Sequence, residues 1–175
     1  MLTTERLQLI PATVALARAE LGNRADFARL LGGVVPENWP PETVADALPL
    51  FLGWLEAAPN QIGWFGWYAL ARSPAGEPVL IGGGGFLGPP EDGTVQLGYS
   101  VLPQFQGQGY ATELVAGLLR WAFAQGVTCI KAETEWANPA SVRVLLKNGF
   151  AQVDATLEND GARFERLAAV TPPGS

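Results

Sequence analysis

Apolar positions change period along the chain, and the changes mark the elements. Leu7 and Leu9 alternate with Arg6 and Gln8, which predicts a first strand over Thr3 to Ile10. Residues 13–31 carry helical composition interrupted at Gly22-Asn23, so two short helices are expected there. After a loop from Gly32 to Pro41, the residues Val44, Leu48, Phe51, Leu52 and Leu55 fall on one helical face. Pro49 lies inside that run, removes a backbone donor and crowds the preceding turn, so a kink or two helices meeting near Ala47 is predicted. Strands follow at Ile62 to Ala71 and Pro78 to Leu87, separated by the turn residues Ser73-Pro-Ala-Gly76. Glu91-Asp-Gly93 turns into a third strand, Val95 to Leu102.

The second half is equally patterned. Ala111, Leu114, Val115, Leu118, Leu119 and Ala122 form the apolar stripe of a long helix that should stop at Gly126. Val127 to Trp136 reads as a strand. Asn138 and Pro139 then have the chemistry of a helix cap and first helical residue, with Gly149 as the terminator. Phe150 to Leu157 and Phe164 to Val170 read as strands joined by Asn159-Asp-Gly161, and the tail from Pro172 to Ser175 as disordered. No repeat and no linker interrupts this order, so residues 1–171 are expected to form one domain.

Between the third strand and the long helix lies Val101-Leu-Pro-Gln-Phe-Gln-Gly-Gln-Gly-Tyr-Ala111. A strand that passes through a glycine-rich loop into a helix aims free N–H groups and the positive helix terminus at one point, which suits a phosphate. The same residues also fit a turn that merely connects two elements. No GxxxxGK[ST] occurs, and Thr112 occupies the place of the third glycine of a dinucleotide fingerprint, so P-loop and Rossmann readings fall away. The run Gly82 to Gly85 has no helix start or basic residue after it, and reads as close packing or a bulge.

The spacing Gln104-x-x-Gly107-x-Gly109 resembles the coenzyme A pyrophosphate loop of the GCN5-related N-acetyltransferase (GNAT) superfamily. Asn138-Pro-Ala-Ser141-Val-Arg-Val-Leu-Leu-Lys147-Asn-Gly149-Phe150 is similar to a segment of that superfamily's ribosomal-protein acetyltransferase-like branch, and Leu2-Thr-Thr-Glu-Arg-Leu7 looks like the branch's first strand. The resemblance implies an α+β fold: a mostly antiparallel mixed sheet with a splayed central strand pair and helices on both faces. It also implies transfer of an acetyl group from acetyl-CoA to a primary amine by direct attack in a ternary complex. The acceptor is expected to be a small-molecule amine or a protein N-terminus, and the chain a monomer or homodimer.

Site residues carry over position by position. Val101 and Leu102 would pair with the pantetheine amides and offer an N–H to the thioester oxygen. The N–H groups from Gln104 to Ala111, those of Gln106, Gly107, Gln108, Gly109 and Tyr110 among them, would surround the pyrophosphate. Asn138 would contact the pantetheine arm and Ser141 would lie near the thioester sulfur, although a capping Asn138 and a polar first-turn Ser141 explain the same residues. Two positions depart from the family. Leu145 stands where many members place a tyrosine that protonates the thiolate, and Gln96 where a glutamate base is common. A CoA-binding module without turnover is therefore the alternative. Glu133 and Glu135, on one face of their strand by alternation, become the candidate proton acceptors, and Tyr99 or Tyr110 the candidate phenolic acid. Trp39, Trp64 and Trp67, with Gln96, are the candidate acceptor-site residues, while cover over the core is the favoured reading of Trp39, Trp54, Trp64 and Trp67.

Composition narrows the chemistry. The chain has no histidine and a single cysteine, Cys129, so Ser-His-Asp and Cys-His triads and ordinary zinc sites cannot be built, and no metal is expected. Cys129 sits in an apolar run and reads as a buried, inert thiol. A net charge of −6 with 11 scattered basic residues argues against a nucleic-acid footprint. The acid excess fits attraction of a cationic acceptor or simple solubility. The apolar runs are too short to span a bilayer, and Glu5 and Arg6 precede any apolar stretch, so a cytoplasmic protein with no membrane partner is expected.

Overall fold

In the computed structural model, which describes residues 1–72, 76–157 and 161–169, the first strand is two. β1 (Leu2–Thr3) and β2 (Leu7–Pro11) pair antiparallel with Leu2 opposite Leu9. The turn between them exists because Glu113 draws it in. The Thr4 hydroxyl and the Arg6 main-chain N–H both donate to the Glu113 carboxylate at 2.6 Å.

Helices α1 (Val14–Gly22) and α2 (Arg24–Leu31) break at Asn23, whose side chain accepts from the N–H groups of Ala25 and Asp26. Pro49 divides the next run as expected: α3 (Glu42–Ala45) stops, and α4 (Leu48–Ala57) begins with the proline in its first turn. β3 (Trp67–Arg72) starts later than the pattern predicted, because residues 61–64 form a turn in which Gly63 has φ +97°. β4 (Pro78–Phe86), β5 (Thr94–Val101), α5 (Tyr110–Ala124), β6 (Cys129–Glu135), α6 (Pro139–Lys147), β7 (Ala151–Leu157) and β8 (Gly161–Leu167) follow. The expected turns at Ser73-Pro-Ala and at Asn159-Asp, and the tail from Val170, lie outside the described residues.

The strands form one open sheet in the order β1-β2-β3-β4-β5-β6-β8-β7, with β5 and β6 parallel and every other neighbour antiparallel. Alternation along β3 sends Trp67, Ala69 and Ala71 into one core and Tyr68 and Leu70 into another, so the sheet is covered on both faces. On the first face Leu114, Val115, Leu118 and Ala122 of α5 and Leu145 of α6 are fully buried against Leu7, Leu9 and Ile130. On the second, Phe27, Leu31 and Leu55 from the earlier helices cover Tyr68, Leu70 and Leu80. Each fully buried leucine contributes about 2 kcal/mol, which fixes the helices to the sheet.

Two features of the sheet set up the site. The run Gly82 to Gly85 is close packing, as read: a Cβ at Gly84 would lie 2.9 Å from the Gly98 carbonyl oxygen, and one at Gly85 2.7 Å from the Gly66 Cα. The splay is equally plain. Pairing of β5 with β6 runs from Thr94↔Cys129 to Leu97↔Ala132 and ends, whereas β5 continues with β4 to Val101↔Gly82 and β6 continues with β8 to Glu135↔Gly161. Gly98 to Val101 therefore have no β6 partner. Among the described residues no helix is long and apolar enough to cross a membrane.

Candidate active site

The gap between β5 and β6 opens into a cavity of about 460 Å³ whose walls are the end of β5, the loop into α5, and one face of α6. The β5 backbone determines what faces it. Leu102 donates its N–H to Ile81 at 2.8 Å, and Gln96 accepts from Leu87 at 3.1 Å, so the alternating main-chain groups of Gln96, Gly98, Ser100 and Leu102 turn toward β4. Those of Tyr99 and Val101 turn into the gap. The Val101 carbonyl takes the Gln106 side-chain amide at 2.8 Å, which leaves the Val101 N–H and both main-chain groups of Tyr99 open. Leu102 is thereby removed as a pairing residue, since its amide is engaged and its side chain is fully buried.

The loop starts its work later than the sequence suggested. Pro103–Phe105 form a 3₁₀ turn, in which Phe105 and Gln106 donate to Leu102 and Pro103. The N–H groups of residues 107–112 donate to no protein acceptor among the described residues. They converge on the positive end of α5, whose cap, Gly109, sits at φ +82° and offers no side-chain cap; Gly107 is at φ +73°. The three glutamines shape this loop rather than point into it. Gln104 exchanges two 3.0 Å hydrogen bonds with Asn38, Gln106 holds Val101, and Gln108 reaches the Gln104 carbonyl.

Arg6 fastens the loop from outside. Its Nε donates to Glu113 at 2.7 Å, its Nη1 to the Gln108 carbonyl at 2.9 Å, and its guanidinium lies 4.5 Å from the Tyr110 ring centre. Partial burial pushes the Glu113 carboxyl up, but bonds from the Thr4 hydroxyl and the Arg6 main and side chains, with the guanidinium charge, outweigh it and hold the group below its ordinary value. Tyr110 thus lines the cavity at its loop end, under a cation, and is not the phenol near Ser141.

That phenol is Tyr99. Its hydroxyl lies 2.8 Å from Ser141 Oγ and 3.2 Å from the Ser141 carbonyl, across the inner end of the cavity. Burial raises the Tyr99 pKa against a smaller downward pull from Ser141, so it stays protonated at neutral pH. Asn138 caps α6 by accepting from the Ser141 N–H at 3.1 Å, and Leu145 is fully buried beneath the helix. Arg143 and Lys147, not singled out from the sequence, line the same wall. The signal was present: Ala140, Arg143, Val144 and Lys147 recur at i, i+3, i+4 and i+7 on α6.

Other expected residues sort differently. Glu133 and Glu135 share the β6 face opposite buried Ile130 and Ala132, beyond the point where β6 leaves β5, and Glu133 is ion-paired with Arg163 at 3.1 Å. Gln96 is exposed on β5, paired in register with Lys131. Trp64 and Trp67 are not among the residues that line this cavity. They pack at 4.6 and 5.2 Å from Trp121, near the far end of α5, because alternation turns Trp67 into the first core. Trp39 is buried on the second face, donating to Glu20 Oε1 at 2.7 Å while Tyr68 donates to Glu20 Oε2 at 2.6 Å. Burial pushes the Glu20 carboxyl up despite both bonds. Cys129 is only half-buried, yet its thiol is raised by desolvation and then by Glu165, as suits an inert group.

Comparison with known proteins agrees with this geometry. Residues 6–151 match the family model described as "Acetyltransferase (GNAT) domain". The uncharacterized N-acetyltransferase YjdG of Bacillus subtilis is 28% identical over 173 residues, covering 98% of each chain. Among solved structures, ribosomal-protein-S5-alanine acetyltransferase from Vibrio fischeri has a TM-score of 0.62 at 20% identity over 98% of both chains. A variant of the spermidine N-acetyltransferase SpeG from Vibrio cholerae gives 0.62 at 15% identity, covering 94% of this chain and 95% of that one. The microcin C7 self-immunity acetyltransferase MccE, solved with acetyl-CoA and AMP, gives 0.62 at 16% identity over 94% of each. Since the match runs from Arg6 through the parted strands to the end of α6, this chain belongs to the GNAT family of acetyltransferases and is an N-acetyltransferase, of a family that uses acetyl-CoA.

Proposed function

We propose that the chain acetylates a primary amine from acetyl-CoA by direct attack in a ternary complex, with a small-molecule amine or a protein N-terminus as acceptor. The observation that carries this is the unbroken row of unengaged N–H groups over residues 107–112, set at one end of a cavity whose other end holds Tyr99 and Ser141. The donors fit a pyrophosphate, and the open main-chain groups of Tyr99 and Val101 fit an extended arm bearing amides.

When bound, acetyl-CoA supplies an activated thioester. The Val101 N–H offers its carbonyl oxygen a fixed donor in a water-poor gap. The Tyr99 and Ser141 hydroxyls share one 2.8 Å hydrogen bond in which either can be the donor, so the pair can pass a proton to a departing sulfur, one hydroxyl giving it and the other resupplying it. Buried Leu145 offers no proton, and the phenol comes instead from β5, across the cleft. Glu135, exposed beside the gap, receives the amine proton through water, while Glu133 is partly occupied by Arg163. An α-amine near pKa 8 is about 1 unit too protonated at pH 7 and a lysine-like amine about 3.4, so weak general base catalysis favours the α-amine.

Thiol release from acetyl-CoA should be followed with spermidine, amino acids and N-terminal peptides of ribosomal proteins. Acceptor-dependent release with one class, together with micromolar acetyl-CoA binding by calorimetry, is expected. Absence of both binding and release overturns the proposal. The ribosomal-protein branch is the narrower reading, and preference for the peptides over spermidine distinguishes it.

A further inference from the structure

Among the described residues, two cations on the cavity wall have no protein partner. Of the 11 basic residues, Arg6, Arg18, Arg29, Lys131 and Arg163 are ion-paired, and Arg24, Arg120 and Arg166 donate to main-chain carbonyls. Among the described residues that leaves Arg72, Arg143 and Lys147, and the last two line the cavity. In a chain of net charge −6, two unpaired cations one helical turn apart and facing one cavity form a local positive site.

Their place along the cavity is defined. The Asn148 side-chain amide donates to the Thr112 carbonyl at 3.2 Å, which ties the last turn of α6 to the first turn of α5. Lys147 lies six residues beyond Ser141, about 9 Å along the helix axis. Lys147 therefore stands toward the loop end of the cavity, and Arg143 lies one turn back on the same wall, between it and Ser141. The N–H groups of residues 107–112 already suit a pyrophosphate diester, whose charge is spread and which needs directional donors. A phosphate monoester carries close to two charges and is met by Lys and Arg side chains.

We propose that Arg143 and Lys147 form a second anion subsite that takes the 3′-phosphate on the ribose of coenzyme A, so that the chain discriminates CoA from 3′-dephospho-CoA. This rests on the acetyl-CoA reading, and the test separates the two. Dissociation constants for CoA and 3′-dephospho-CoA are measured by calorimetry at fixed low salt, for the wild type, Arg143→Gln/Lys147→Gln and Arg143→Lys. The wild type should prefer CoA by about tenfold, or about 1.4 kcal/mol. The double variant should bring the ratio of the two constants to about one, and the charge-keeping Arg143→Lys should retain most of the preference. Both positions are exposed, so folding is checked by an unchanged melting curve. A wild-type ratio near one, or equal weakening of both ligands in the double variant, overturns the inference, the latter by assigning the cations to the pyrophosphate. Failure of the wild type to bind either ligand overturns the cofactor reading itself.

Discussion

Replacing Arg6 with alanine should weaken cofactor binding by exposing a carboxylate rather than by removing a ligand contact. Arg6 neutralises Glu113, whose side chain is 14% exposed and sits in the first turn of α5. From Gly109 to Glu113 the helix rises about 6 Å, so an anion held by the loop N–H groups lies about 9 Å from that carboxylate. At 9 Å two unit charges repel by about 0.5 kcal/mol in water and about 2 kcal/mol at an effective dielectric of 20; a value near 1 corresponds to about fivefold in Kd. The charge-assisted bond to Glu113 is also lost, which at a half-exposed arginine amounts to about 1.5 kcal/mol of stability, or a Tm lower by about 3–6 °C. Calorimetry with CoA and thermal melting read the two effects separately. Arg6→Ala/Glu113→Gln should recover the affinity while remaining less stable than the wild type, because the repelling charge is gone but the tether is not restored. The pH dependence has a fixed sign. Glu113 is held below its ordinary value of 4.5, so its stabilisation is present above that pH and is lost as pH falls through the lowered value; Arg6→Ala should shrink this acid limb. Wild-type CoA affinity in Arg6→Ala, or no recovery in the double variant, refutes the charge argument.

Further expectations follow from the same geometry. Gly109→Glu places a side chain at φ +82° and a negative charge on the loop, and should weaken acetyl-CoA binding at least tenfold, or about 1.4 kcal/mol; unchanged calorimetry in a folded variant would falsify the loop assignment. Tyr99→Phe should lower kcat by about 10–100-fold with little change in KM for acetyl-CoA, and a wild-type rate would show that Ser141 needs no phenol. Glu20 is held above its ordinary value of 4.5, so the stability it contributes is fully present below that pH and is lost as pH rises through the raised value. Glu20→Gln should flatten this trend in urea unfolding at pH 4 and 8, whereas Glu20→Leu should cost about 2–4 kcal/mol by stranding Trp39 and Tyr68.

What was legible in the sequence is what neighbouring residues determine. The α5 stripe was readable because Leu114, Val115 and Leu118 meet one core, and the division at Pro49 because proline constrains its own turn. The strand–glycine loop–helix order located the row of free loop N–H groups for the same reason. Long-range partners were not legible. Nothing near Thr4 and Arg6 announces that Glu113 will split their strand, and nothing near Gln104 announces Asn38. That Trp64 and Trp67 would pack against Trp121 was not legible either, because the local pattern does not say which helix covers their side of the sheet. The donor row beginning at residue 107 was within reach, since Pro103 favours the tight turn that engages Phe105 and Gln106.

The parting of β5 from β6 leaves an unpaired strand edge inside a sheet, the kind of template on which chains aggregate. Exposed edges are ordinarily guarded by charge, proline or a bulge. Here concealment replaces those guards: β6 and α6 flank the edge, the Gln106 amide stoppers the Val101 carbonyl, and what remains is too short and recessed for another chain's strand to reach. A slender single-file molecule can enter where a sheet cannot. The chain can thus keep a permanently adhesive strand at its centre and still remain selective about what adheres to it.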